Sequence, residues 1–307
     1  MPLTERELLA WLAPRAAQGR EVALGIGHDA AVVTSPSGDG LVLKSDQTLE
    51  EVHFRRGEQG FEWVGRKALA RVLSDIGAVG GRPVAALCSL SVPSDLPEAD
   101  VKALFDGLLR LAAEHSVSLV GGDLARSPRG VTIDIAGLGF LEGRAPLRRD
   151  GARPGDLLVV TGPLGGSRAR HHLAFEPRWR AGVALAASGA VHACIDLSDG
   201  LARDLRQVAA ASRVGARIEL EALPRRRGGD GAPATIEQAL HDGEDYELLF
   251  ALPEAAWSEL RGAPALAALA CAVVGRVEAE GAGLTTIDGA GRSAPLASGG
   301  YEHTLGA

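Results

Sequence analysis

The chain has 307 residues, 46% of them hydrophobic, enough to bury a core in each of two globular domains and too apolar for a small disordered adaptor. A formal net charge of −7 argues against wrapping nucleic acid or coating an acidic membrane, and no segment approaches the roughly 20 uninterrupted apolar residues of a membrane span. Forty glycines against 4% aromatic residues predict many tight turns and a core of Leu, Val and Ala, which suits an α/β enzyme acting on small molecules.

In chain order, the opening segment MPLTERELLAWLAP has charges at Glu5, Arg6 and Glu7 and lacks the apolar run of a secretory signal. Strands are expected over 41–46, 84–93, 118–123 and 131–140, with helices over about 62–79 and 98–115 between them. The first helix sets Leu69, Val72, Leu73, Ile76 and Val79 on one stripe; the second does so with Val101, Leu104, Phe105, Leu108 and Ala112. The stretch 143–156, GRAPLRRDGARPGD, is rich in Gly, Pro and Arg and is expected to be a junction, dividing the chain into domains 1–148 and 149–307. Beyond it, strands are expected over 157–162, 191–196, 216–220, 246–252 and 271–277. A helix follows Ser198, whose hydroxyl is placed to cap it, with Leu201, Leu205 and Val208 facing inward. His171 and His172 have no acidic or cysteine partners nearby in sequence and are expected to be exposed, and Arg225, Arg226 and Arg227, followed by GGDG, to form a solvated loop. The three cysteines, Cys88, Cys194 and Cys271, are odd in number and set far apart in apolar runs. They read as buried thiols in a reducing compartment, so a cytoplasmic location is expected.

Aspartates recur where apolar runs end against glycine or serine: Asp29, Asp46, Asp75, Asp123, Asp196 and Asp199. Any one of them is most simply a turn former or a helix cap. Carboxylates gathered together repel one another and are costly to bury, so a fold that collects them needs a compensating cation. Oxygen ligands in this number suit Mg²⁺, in several ions, and Mg²⁺ commonly joins protein carboxylates to phosphate oxygens; the ligand implied is a nucleotide polyphosphate. Glycines at 25, 27, 121 and 122 let backbone N–H groups come close to such phosphates, while a Walker A loop and a GxGxxG dinucleotide loop are both missing from the sequence.

These segments, in this order, resemble the thiamine-monophosphate kinase family, within the superfamily that includes aminoimidazole ribonucleotide synthetase and selenophosphate synthetase. GIGHDAAVV resembles the family's GIGDDAAV, KSDQTLEEVHF its TDTLVEGVHF, and KALARVLSDIGAVGGRP its KALAVNLSDIAAMGA-P stretch. LVGGDLARSP, GARPGDLLVVTGPLG, IDLSDGLARDL, HDGEDYELLF and the terminal GGYEHT have counterparts in sequence, so the resemblance runs nearly end to end. It implies a two-domain α/β (α+β) fold of the aminoimidazole ribonucleotide synthetase type, with N-terminal strands pairing in a homodimer. It also implies a kinase reaction in which ATP is the co-substrate and thiamine monophosphate the acceptor, giving thiamine diphosphate and ADP. Carried over position by position, the resemblance places magnesium ligands at Asp29, Ser45, Asp46, Asp75, Asp123, Asp196 and Asp199. ATP contacts fall at Gly122, Asp123, Arg149 and Ser198, and Lys44 stands where the family commonly has serine or threonine, as a direct phosphate contact. Thiamine monophosphate is met by His53, Glu244 and Tyr301. Because the attacking phosphate oxygen is already ionised, no separate catalytic base is expected.

The chain departs from the family at His28, where Asp is common, at Gly166, where GDS is common, and in a shorter 162–180 segment. The same aspartates would serve another ATP-dependent enzyme of the superfamily, of amidine cyclase or selenophosphate synthetase type, or a nucleotide-binding dimer without turnover. The lack of a reactive Cys or Sec in an N-terminal glycine-rich loop counts against selenium chemistry.

Overall fold

The structure, a computed structural model, describes residues 3–16, 18–301 and 304–305. Glu302 and His303 of the terminal GGYEHT segment and Met1 and Pro2 of the opening segment lie outside the described residues. In chain order the first half runs β1 (Leu3–Thr4), α1 (Glu5–Leu12), β2 (Val22–Leu24), β3 (Ala31–Thr34), β4 (Gly40–Leu49), α2 (Phe61–Ala78), β5 (Arg82–Val92), α3 (Glu98–Glu114), β6 (Ser118–Arg126) and β7 (Thr132–Phe140). Next come β8 (Leu157–Val160), α4 (His171–Ala174), α5 (Trp179–Ser188), β9 (Ala193–Asp196), α6 (Leu201–Ser212), β10 (Gly215–Glu219) and α7 (Ile236–His241). The chain closes through β11 (Leu248–Leu252), α8 (Glu254–Leu260), α9 (Pro264–Ala267), β12 (Ala272–Glu278), β13 (Leu284–Ile287), β14 (Ser293–Pro295) and β15 (Thr304–Leu305).

Two large sheets result. The first has the order β2-β3-β4-β7-β5-β6 and is antiparallel except for the β5–β6 pair; the second has the order β14-β13-β10-β12-β8-β11-β9, with β10 and β13 parallel. This mixed α/β architecture is the fold class expected from the sequence. Among the described residues, 141–156 carries no helix or strand.

Helix α2 is the spine that joins the two sheets. Its apolar stripe is buried as the 3.6-residue period requires, and Val72 and Ile76 lie directly over Gly137 of β7. Truncating a residue such as Leu73, which is 1% exposed, to alanine costs about 2–5 kcal/mol. The helix meets α5 of the second half at a glycine crossing: a Cβ on Gly182 would lie 1.9 Å from the carbonyl oxygen of Gly77. Only glycine permits so close an approach. The opposite flank of α2 presents Lys67, Arg71, Ser74 and Asp75, a polar stripe turned toward the second half of the chain.

The two long helices fall within one residue of their expected bounds at each end, and the strands expected from apolar runs are all present. The helix after Ser198 is also present, but its cap differs: Gly200 is the N-cap, with no side-chain hydrogen bond. Ser198 lies earlier in the turn, where its carbonyl accepts from the Glu244 amide at 2.7 Å. Cys88 and Cys194 are buried free thiols as expected, while Cys271 is only half-buried. No helix among the described residues is long and apolar enough to cross a membrane.

Candidate active site

Three of the expected metal ligands converge where the halves meet. Asp29 follows β2, Asp75 stands on the polar flank of α2 and Asp196 ends β9; carboxylate oxygens from all three lie within 4.8 Å of one another. Their charge is only partly balanced. Arg149 grips Asp29 with both arms of its guanidinium, Nη2 to Oδ1 at 2.6 Å and Nε to Oδ2 at 3.1 Å, and its remaining nitrogen donates to Gln207 at 2.7 Å. Burial pushes the Asp29 carboxyl up, but this guanidinium outweighs it and holds the group below the usual carboxylate range. Asp75 pairs with Lys44, Nζ to Oδ2 at 3.0 Å, and burial nevertheless lifts it to about 7. Asp196 accepts from Ser74, at 2.7 Å, and burial followed by repulsion from Asp75 and Asp29 pushes it well above the ordinary value. Two strained acids facing a third is an arrangement that favours a bound cation.

The other expected ligands divide by strand parity. Side chains alternate along β4, so Lys44 and Asp46 share the face toward α2, where Asp46 pairs with Arg71 at 3.1 Å. Ser45 turns to the opposite, open face and donates to Asp134 at 2.7 Å. Asp123, exposed on the edge strand β6, lies in register with Ser89, which is in register with Asp134, so it shares that open face. Gly122 is needed for strand pairing itself: a Cβ there would sit 1.8 Å from the Cys88 carbonyl oxygen. His28 accepts from the Arg149 amide at 3.4 Å, away from the carboxylates, leaving Asp29 as the residue that enters the cluster.

A cavity of about 400 Å³ gathers the three residues expected to meet the acceptor, His53, Glu244 and Tyr301, with Ser198 and Asp199 on the same wall. The cavity and the carboxylates are joined through Arg71, which lines the first and pairs with Asp46 beside the second, and through the 196–199 turn. Asp199 pairs with Arg203 at 3.3 Å, and its amide donates to the buried Asp204 at 3.1 Å. Within HDGEDYELLF the acids separate by role. Glu244 faces the cavity, in a left-handed backbone conformation (φ 53°), whereas Asp245 and Glu247 turn inward. Asp245 takes the Gly165 amide at 3.0 Å and the Arg226 guanidinium at 3.3 Å; Glu247 holds Arg178 with two bonds of 2.7 Å.

Sequence reasoning misplaced several groups here. His172 is buried, its Nδ1 3.1 Å from the Lys67 ammonium, and His171 reaches the Asp245 carbonyl at 2.9 Å, so neither is an exposed surface histidine. Arg226 is half-buried against Asp245 instead of being fully solvated. The partners of the two histidines lie more than 70 residues away and that of Arg226 lies 19 away, beyond any local pattern. Lys67, behind the cavity wall, and Arg71 and Arg168, which line it, were missed. The first two did leave a signal, a polar stripe at spacing 67, 71, 74 and 75 in a helix otherwise apolar on most sides.

Residues 27–141 match the family profile "AIR synthase related protein, N-terminal domain" and residues 153–287 the corresponding C-terminal domain. Thiamine-monophosphate kinase of Rhodopirellula baltica is 41% identical over 265 residues, which cover 82% of this chain and 83% of that protein. The Bacillus subtilis protein of the same name is 32% identical over 281 residues, 84% of this chain and 86% of its own. Among solved structures, AaThiL complexed with AMPPCP and TMP is similar over 99% of both chains, at a TM-score of 0.80 and 31% identity.

Proposed function

The chain belongs to the AIR synthase related family and, within it, to the thiamine-monophosphate kinases, and on that premise we propose that it transfers the γ-phosphoryl group of ATP to thiamine monophosphate. The observation that carries this reading is the cavity that brings His53, Glu244 and Tyr301 together beside the carboxylate cluster. These residues come from distant parts of the chain, and they supply what the acceptor's chemistry asks for: an acid for its cationic ring, an imidazole for its phosphate and an aromatic face for its pyrimidine.

In the reaction a phosphate oxygen of thiamine monophosphate attacks the γ-phosphorus in line. A new P–O bond forms, the bond to the β-phosphate oxygen breaks, and ADP leaves with that electron pair. Because no strong base is required, the chain's task is to position two polyanions and to offset their repulsion. Lys44, Arg71 and Arg149 are among the fixed cations at the site, each already paired to an aspartate, so the balance of charge depends on which partner a phosphate displaces. Asp29, Asp75 and Asp196 fit Mg²⁺: they are hard oxygen donors, close together and short of positive charge. Asp46 and Asp199 are placed to extend that set to a further ion. Bound there, Mg²⁺ would screen the charge of the transferred and leaving phosphate oxygens.

A homodimer is part of the same proposal. The open face of the first sheet exposes Leu43 and Leu87, and its edge strand β6 exposes Val120 and Leu124; a second copy covering them would also enclose Ser45 and Asp123. We place the boundary between an ATP- and metal-binding N-terminal domain and an α/β C-terminal domain at 148/149, inside the stretch without regular structure, and the protein in the cytoplasm on account of its free thiols.

A coupled ADP-release assay tests the function. ADP is expected with thiamine monophosphate as acceptor, and little with thiamine or with formylglycinamidine ribonucleotide. Release driven by the amidine substrate would move the chain to another branch of the superfamily, and nucleotide binding with no turnover on any acceptor would leave only the non-catalytic dimer.

A further inference from the structure

Lysine is rarely buried without a reason, yet Lys67, on the polar flank of α2, is 0% exposed. An ammonium group has three donors and no acceptor, and here three acceptors surround it. Nζ lies 2.5 Å from Glu244 Oε1, 2.9 Å from the His53 carbonyl oxygen and 3.1 Å from His172 Nδ1. All three partners line the acceptor cavity, and they come from three separate segments: the turn after β4, helix α4 and the loop before β11. Glu244 reaches Lys67 from a left-handed backbone, directly after Gly243 at φ 69°, a conformation that costs a glutamate about 1 kcal/mol or more and persists only where its surroundings hold it.

We propose that Lys67 is a positioning residue for the acceptor: its ammonium fixes the Glu244 carboxylate, the His172 ring and the His53 backbone as one wall of the cavity. This rests on the kinase reading above and goes beyond it, since Lys67 is buried behind the cavity wall and is not among its lining residues. The geometry assigns each group a state. Glu244 Oε1 is taken by Lys67, while Oε2 lies 3.4 Å from His172 Nδ1, so lysine, glutamate and histidine close a triangle. Of the two neighbours of His172 Nδ1, the Lys67 ammonium at 3.1 Å is nearer than Glu244 Oε2 at 3.4 Å and can only donate, so in this proposal Nδ1 is an acceptor with the ring hydrogen on Nε2. A well-packed apolar side chain would serve stability at least as well as a buried charge, so retention of a lysine with all three donors used on cavity groups fits geometric control better than folding. Burial pulls the Lys67 pKa down while Glu244 pulls it back.

The test compares wild type, Lys67→Met, Glu244→Gln and the double variant by steady-state kinetics and thermal unfolding. Methionine keeps the length and removes the charge. Lys67→Met is expected to raise the Michaelis constant for thiamine monophosphate about tenfold or more while that for ATP moves less than about twofold. In the Glu244→Gln background the same change should add less than about threefold, because both variants remove one arrangement. Equal weakening of ATP and acceptor, full additivity, or an unchanged acceptor constant would each overturn the proposal. Should Lys67→Met not fold, the wild-type protein labelled with ¹⁵N-histidine still decides: a neutral His172 with hydrogen on Nε2 supports the wall described, and hydrogen on Nδ1 overturns it. The two levels fail separately. A wild type that releases no ADP with thiamine monophosphate refutes the kinase reading, whereas a fully active wild type with an indifferent Lys67→Met refutes only the positioning role.

Discussion

Asp75 offers the sharpest test of the carboxylate cluster, because its ionisation works against the fold. Its side chain is 12% exposed, and burial lifts its pKa from 3.8 to about 7 despite the Lys44 ammonium 3.0 Å away. A carboxyl whose folded value is raised holds its proton longer in the native state than in the unfolded one. Its contribution therefore favours folding at low pH and is lost progressively as pH climbs from about 4 through about 7, beyond which it is constant. A shift of this size corresponds to about 4 kcal/mol of destabilisation at pH 8, taken as a ceiling. Asp75→Asn removes that penalty but also takes the charge partner from Lys44, so we expect about half to appear, near 2 kcal/mol, or about 4 °C or more in melting temperature. The assay is thermal unfolding in a chelator, without nucleotide, from pH 4.5 to 8.5. The variant should match wild type at the acid end and exceed it at pH 8, and Mg²⁺ with ATP should stabilise wild type much more than the variant. A variant less stable than wild type at pH 8, or a difference that does not change with pH, would refute the reasoning: Asp75 would then be a structural ion-pair partner.

Two further expectations follow from the same cluster. Turnover should keep rising after Mg²⁺ equals ATP, because the carboxylates offer more sites than the chelated ion fills; saturation at equivalence, measured by ADP release against total Mg²⁺, would count against a multi-ion site. Arg149→Ala leaves Asp29 buried and without its bidentate partner and should cost about 3–5 kcal/mol in chemical denaturation, whereas Arg149→Ala combined with Asp29→Asn should recover most of that loss. A single variant as stable as wild type would show that the pair is not fully desolvated.

Local pattern settled the elements and marked the acids of the candidate site. The 3.6-residue stripes of α2 and α3 survive in the fold almost to the residue because burial of an apolar face is what stabilises each helix. Aspartates ending apolar runs marked where charge would collect, since a strand or helix brings its terminal residue to the edge of a layer. Which aspartates meet was another matter. Asp29, Asp75 and Asp196 converge because α2 stands between the sheets and the Gly77–Gly182 crossing brings the second half within contact of its polar flank. Strand alternation in β4 sends Ser45 away from Asp46, a period-two consequence that becomes meaningful only once one face is known to pack on α2. The sequence could show a lysine at 67 and histidines at 171 and 172, but Lys67 meets His172 across 105 residues of chain and His171 meets Asp245 across 74. Such long-range pairing has no local signature, because its stabilisation comes from desolvation and hydrogen bonding that exist only after both halves have closed around the cavity.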